Sequence, residues 1–369
     1  MRAAARRRPD SMRLNKKKPT AIAGLDIESG SVAATEISVN GETRLGASAI
    51  GALPPGAFRE GEVVDGEQLS ATLKAFFAEH KLPKRVRLGV GNQGVVVRTV
   101  RLPAIEDPKE MQAAVRFQAQ EQIPMPLDQA VLEHQVVGGV PAEEGGMPQV
   151  DVVVVAARRD MVASFLEPVR RAGLEPVGID LSAFALIRAL ADATAQPVVE
   201  PGERPTEAVL YCNVADVTNL AIARGRSCLF TRVSYAGLET MVERLAASSG
   251  MSPELAAQWL AYVGLEWPLE SLEGDPETLG ATRRTLEEGV AALLDELRLS
   301  LDYYGAQEGA LPVGRIALSG AGSVIPGFAR QMQEHLGAPI EIVRPPALAG
   351  YDDAAAARLT MSYGLALEV

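Results

Sequence analysis

The stretch Thr20 to Ser38, TAIAGLDIESGSVAATEIS, holds the residues best suited to chemistry. Asp26 ends an apolar run of Ala21, Ile22, Ala23 and Leu25, the composition of a strand covered on both faces. Glu28-Ser29-Gly30-Ser31 reads as a tight turn, in which Gly30 is expected to supply a positive φ and the serines to bond locally to backbone. Val32 to Ile37 then resumes a strand. Most such strand–turn–strand stretches are only hairpins; with a carboxylate at the strand end, the turn's N–H groups could also face phosphate oxygens.

A second strand, polar turn and strand follows about half a chain later, in EAVLYCNVADVTNLAIA from Glu207 to Ala223. The pattern predicts strands and helices after each hairpin. In the first half, Asp65 caps a helix to Ala78, and Asp107-Pro108 opens one to Gln122 in the manner of an N-cap followed by proline. Helices from Asp160 and from Asp180 to Leu190 follow. In the second half, Gly237 to Ser249, Ser252 to Val263 and Thr282 to Tyr304 read as helices, with Pro268 to Gly280 a polar acidic loop. Strand Arg315 to Leu318 leads into SGAGSVIPG, and Ala354 to Leu367 closes the chain as a helix. Three prolines in Asp192 to Thr206 mark an internal linker.

Composition narrows the function classes. At 47% apolar and 22% charged residues, the chain is that of an ordinary globular protein. Cys212 and Cys228 form no CxxC, and three dispersed histidines give no zinc site. No apolar run spans a membrane or marks a secretory signal, so a cytoplasmic chain is expected. Residues 1–18 hold eight basic residues against Asp10, a net +7, which leaves −18 of the total −11 for the rest. An acidic body disfavours nucleic acid, whereas the basic segment could meet anionic lipid or remain a disordered, solvated arm.

The order of these motifs resembles the actin, sugar-kinase and heat-shock chaperone superfamily, and within it the PilM family of type IV pilus assembly, more distantly FtsA. The resemblance is carried by GLDIESGSV, by RLPAIEDPKEMQAAVRFQAQEQIPMPLDQAVLEHQVV and by DVVVVAARRDMVASFLEPVRRAGLEPVGID. LFTRVSYAGLETMVERLAASSGMSPELAAQ, LRLSLDYYGAQ, SGAGSVIPGF and the final YGLAL continue it. It implies an α/β, actin-like (ribonuclease H-like) duplicated fold with a cleft between two large halves. The halves are expected at 20–190 and 207–369, after a disordered tail at 1–19 and around a linker at 191–206. Each half is expected to carry a small inserted subdomain, at about 98–150 and 234–310, with the final helix packing back on the first half.

The resemblance also implies ATP with Mg²⁺ between the halves. The expected nucleotide contacts are Asp26, Glu28, Ser29, Gly30, Ser31, Asn213 and Thr218 on the phosphate side and Gly320, Ala321, Gly322 and Ser323 on the adenosine side, with Asp26 as metal ligand. Glycines there would let backbone approach the adenosine. The implied partner is the N-terminal cytoplasmic peptide of PilN, an inner-membrane protein, held beside the small first-half subdomain. Phe117, Ile123, Pro124 and Met125 are the candidate contacts, against a reading of Phe117 and Ile123 as subdomain core. Other pilus machinery is a further implied partner, and a peripheral position at the inner face of the cell membrane follows.

The phosphate loops depart from the family's pattern. Glu28 stands at the first loop's glycine and Ala33 at its lysine; Cys212 stands at the second loop's aspartate and Val214 at its glycine. Asn213 or Asp216 could substitute if the loop is shifted, which spacing does not decide. A carboxylate about 4 Å from phosphate oxygen would repel it by roughly 4 kcal/mol at intermediate dielectric. An adaptor without productive ATP binding is therefore the preferred reading, with no catalytic residue assigned. The alternative is a slow Mg-ATP hydrolase using Asp26 and Glu28 as direct ligands. A small-molecule kinase of the same superfamily would need a catalytic-base aspartate that no motif supplies.

Overall fold

A computed structural model describes residues 20–39, 43–140, 147–194, 206–307 and 309–367. The basic segment 1–19 and residues 195–205 of the expected linker lie outside the described residues. The first half begins with β1 (Thr20–Ile27), β2 (Ser31–Val39) and β3 (Thr43–Ala52), then the short β4 (Phe58–Arg59) and β5 (Glu62–Val63). It continues through α1 (Gly66–Glu79), β6 (Arg85–Val90), β7 (Val95–Pro103), α2 (Pro108–Gln122), β8 (Ala130–Val140) and β9 (Gln149–Arg158). It closes with α3 (Arg159–Arg171), β10 (Glu175–Leu181) and α4 (Ser182–Leu190). The second half holds β11 (Ala208–Val214), β12 (Thr218–Arg224), β13 (Ser227–Ser234), α5 (Leu238–Ser249), α6 (Pro253–Val263) and α7 (Pro276–Gly305). Then come β14 (Val313–Ser319), α8 (Phe328–Leu336), β15 (Ile340–Ile342) and α9 (Asp353–Ala366).

Two five-stranded sheets form the frame, ordered β10-β6-β1-β2-β3 and β13-β12-β11-β14-β15. Each has one hairpin meander joined in parallel to strands that arrive after helices. β11 is buried along its whole length, as its apolar sequence requires. Its side chains alternate: Leu210, Cys212 and Val214 enter the outer core of the second half, while Val209 and Tyr211 turn inward. α1 and α3 cover the outer face of the first sheet through Leu69, Leu73, Phe165 and Val169.

Between the sheets lie α4 and α9, packed on each other. α4 meets β11 and β12, and α9 meets β1, β2 and β6. Both helices are apolar around most of their circumference, the pattern of a helix enclosed on several sides. Small residues let the backbones close up. A Cβ on Gly24 would stand 2.0 Å from the Ser362 carbonyl, and one on Gly364 would stand 2.1 Å from that of Ala185.

β7, α2, β8 and β9 form a separate layer, a three-stranded sheet ordered β7-β9-β8 with α2 on one face. Asp107 caps α2 by accepting from the N–H groups of Lys109 and Glu110, as its position before Pro108 predicts. α7 differs from expectation. It starts at Pro276 rather than Thr282, because the Asp275 carboxylate accepts from Thr278 N–H; part of the expected acidic loop is its first turns.

Candidate functional site

The two hairpin turns face each other across the cleft, brought together by β1 and β11 at the centres of their sheets. At the first turn the expected phosphate residues meet a cation that sequence reading missed. Arg358, on α9, places Nη1 2.5 Å from Asp26 Oδ2 and Nε 3.1 Å from Glu28 Oε2. Its Nε also donates to Ser31 Oγ at 2.7 Å, and Nη2 to the carbonyls of Asp26 and Ser31 at 3.3 and 3.2 Å. The arginine side chain is only 9% exposed, so the pair is largely removed from water. No local motif announces Arg358. It is the lone basic residue of a helix otherwise made for burial.

The turn then reaches the second half directly. Ser29 N–H donates to Asp216 Oδ2, and Ser29 Oγ to Glu239 Oε1. Glu239 also accepts from Glu60 N–H at 3.1 Å, and Arg59 pairs with Glu243 at 2.9 Å. Asp216, one of the shifted positions that spacing left open, is thus the second loop's carboxylate in the cleft. Cys212 is not: its side chain is in the core, where burial pushes the thiol up to about 12.

One guanidinium serves several carboxyls, and their proton affinities respond. Burial, opposed by Arg358 and reinforced by Asp216 and Asp26, pushes Glu28 up to about 8. Burial also raises Asp216, against the pull of the Ser29 amide, and raises Glu239. For Arg358, burial works against the charge, but Glu28 and Asp26 outweigh it and hold the group above its ordinary value.

Other expected residues stand as follows. Gly30 is exposed and does not take the positive φ expected of it; no atom lies within 4 Å of where its Cβ would be. Thr218 is buried and donates to the Ala236 carbonyl at 2.8 Å, away from the turn. Asn213 Nδ2 donates to Ser319 Oγ at 3.1 Å. Gly320 has φ +81°, and Ser323 Oγ closes its turn onto the Gly320 carbonyl at 2.7 Å; Ala321 begins the single 3₁₀ turn between them. Gly320 and Gly322 have a packing reason to lack side chains. Cβ atoms there would stand 2.5 Å from the Val214 carbonyl and 2.6 Å from Val214 Cγ1. Ala33, at the missing lysine, is buried beneath Ala356 and Leu359 of α9.

In this arrangement the residues do not fit a magnesium triphosphate. Arg358, the cation at the loop among the described residues, is already paired with Asp26 and Glu28, and Asp26, Glu28 and Asp216 border a cavity of about 30 Å³. That is room for a water or two, whereas ligand sites run from about 300 Å³ upward. Among the described residues no cluster of three or more His, Cys, Asp or Glu could hold a metal ion.

A larger concavity lies on the other face of the three-stranded sheet. It encloses about 570 Å³ between β8 and β9 on one side and α3, β10 and α4 on the other. Val131, Val153, Val155, Met161, Ile179 and Phe184 line it. β8 is an edge strand; its Glu133 and Gln135, paired with Val155 and Val153, share the groove's face, and His134 between them also borders it. The residues expected to meet a partner are elsewhere. α2 covers the opposite sheet face, with Ile123 in its core and Phe117 68% exposed on its outer side. Pro124 is exposed and Met125 half-buried.

The sequence profile of the type IV pilus assembly protein PilM family matches residues 24–368. Among solved structures, the PilM-PilN type IV pilus biogenesis complex is similar at 27% identity and a TM-score of 0.74, over 94% of this chain and 97% of that one. The ethanolamine utilization protein EutJ from Carboxydothermus hydrogenoformans aligns over 96% of this chain and 91% of its own, at 13% identity and a TM-score of 0.53. MreB 5 of Spiroplasma citri bound to AMPPNP aligns over 94% and 95%, at 12% identity and 0.50. The last two likenesses concern the fold alone, which is the duplicated actin-like fold.

Proposed function

The chain belongs to the type IV pilus assembly protein PilM family, and from that premise we propose that it is an adaptor that holds the N-terminal peptide of a PilN-type membrane protein without using ATP. The observation that carries the second part is the Arg358 pair with Asp26 and Glu28, which occupies the loop where phosphate would go. The first part is supported by the solved PilM-PilN complex and by the groove beneath β8. An edge strand offers unpaired backbone groups to an extended peptide, and alternate apolar pockets can read its side chains. No helix among the described residues is long and apolar enough to cross a membrane. Attachment to the membrane is therefore proposed to run through the partner, with residues 1–18 as a further contact to anionic lipid.

The end of α2 supports a second location for the peptide, because Phe117 is a large apolar side chain left 68% exposed. The two sites lie on opposite faces of one sheet and are separable. A synthetic PilN-type N-terminal peptide is expected to bind the wild-type chain, and Val155→Arg is expected to weaken it at least about tenfold, or 1.4 kcal/mol. Phe117→Ala is expected to leave its affinity unchanged. Titration calorimetry reads both, and the reverse pattern would move the peptide to α2. Loss of affinity in neither variant would remove the peptide from this subdomain.

A further inference from the structure

We infer that Arg358 is an internal ligand of the Asp26–Ser31 loop, a guanidinium supplied by α9 that holds the cleft closed in place of a bound nucleotide. The inference deepens the nucleotide-independent reading above and rests on it.

An ordinary ion pair would join Arg358 to one carboxylate. Here the fork of N–H groups engages two carboxylates, a hydroxyl and two main-chain carbonyls, all within the turn and the strand ends that flank it. The contacts to the Asp26 and Ser31 carbonyls bracket Glu28, Ser29 and Gly30, so the arginine determines the turn's shape as well as its charge. That shape presents Ser29. Its N–H and hydroxyl donate across the cleft to Asp216 and Glu239, beside the second hairpin turn.

Charge makes the dependence stronger. Asp26, Glu28 and Asp216 converge on one small cavity. Without the guanidinium these buried carboxyls would be offset only by taking up protons, and the five contacts that shape the first turn would be lost. α9 is itself packed between the halves, against β1, β2 and α4. A single side chain thus links the central helix, the first turn and the second half.

Hydrogen exchange on the full chain without nucleotide tests this. In the wild type, the Ser29 amide and the amides of 213–218 are expected to be protected. Arg358→Ala should speed their exchange at least about tenfold while amides at the centres of both sheets keep their rates. Free guanidinium at low millimolar concentration should restore much of the protection, which a merely structural loss would not allow. Arg358→Lys keeps the charge and the stem but not the fork, and should exchange at an intermediate rate. It also serves if the alanine variant fails to fold. Wild-type rates at Ser29 in both variants, or acceleration spread evenly over both sheets with no rescue, would overturn the inference. Failure of the adaptor reading looks different: the peptide would miss the groove while the exchange results stood.

Discussion

Gly24→Val is expected to lose most of the chain's stability, a drop of at least about 3–5 kcal/mol, because overpacking here meets backbone rather than a movable side chain. A Cβ at position 24 would lie 2.0 Å from the Ser362 carbonyl and 2.5 Å from the Ala366 amide, so α9 would have to leave β1. α9 also carries Arg358, so its displacement would open the cleft as well. Gly30→Ala is the control. No atom lies within 4 Å of its Cβ position and its φ is not positive, so stability should change by no more than about 0.5 kcal/mol. Thermal or denaturant unfolding of the two variants separates a glycine required by packing from one that merely sits in a turn. Near-wild-type stability of Gly24→Val would mean that α9 is not seated on β1 as described.

Val214→Gly places a glycine where the unshifted second-loop pattern would have one, and it is expected to cost about 3–4 kcal/mol. Read from the pattern, Val214 crowds an approaching phosphate. In the fold its side chain is fully buried in the outer core of the second half, where it fills the space in front of Gly322. Removing it leaves a cavity and adds chain entropy to the unfolded state, with no cation gained. Denaturant unfolding should show a lower midpoint at unchanged slope. A variant as stable as the wild type would mean that Val214 is not a core residue and that the loop can be reopened by one substitution.

The contrast between these positions shows what sequence could reach. Strand hairpins and capped helices follow from local chemistry, so β1, β2, β11, β12 and α2 stand close to where periodicity and capping put them. α7 began earlier because its cap, Asp275-Pro276, was read as part of a loop. The α/β duplication was legible because its signal repeats. The content of the cleft was not, because it depends on contacts across more than 300 residues: Arg358 to Asp26 and Glu28, and across about 200, Ser29 to Asp216 and Glu239. Spacing alone could not choose among Cys212, Asn213 and Asp216. Burial decides it, since strand alternation turns Cys212 into the core and the turn frees Asp216 toward Ser29. The same limit applied at α2, where amphipathic spacing could not say that Ile123 faces inward while Phe117 faces out.

The pieces combine into one physical picture. Helix α9 is clamped between the halves by close backbone approach at Gly24 and Gly364. From there its arginine neutralises the first turn, and the first turn binds the second. Burying such a pair need not add net stability, but removing one partner strands the other's charge in a dry site. On the function proposed above, a cleft held this way would keep one shape whatever the nucleotide level, as a scaffold that presents a groove to a peptide requires.

The most direct measurement is a thermal-unfolding titration of the full wild-type chain with Mg-ATP. A ligand at 100 times its Kd stabilises a protein by about 2.7 kcal/mol. No saturable shift is expected up to millimolar Mg-ATP. A saturable upward shift of that size, abolished when Mg²⁺ is withheld, would contradict a cleft closed by its own arginine.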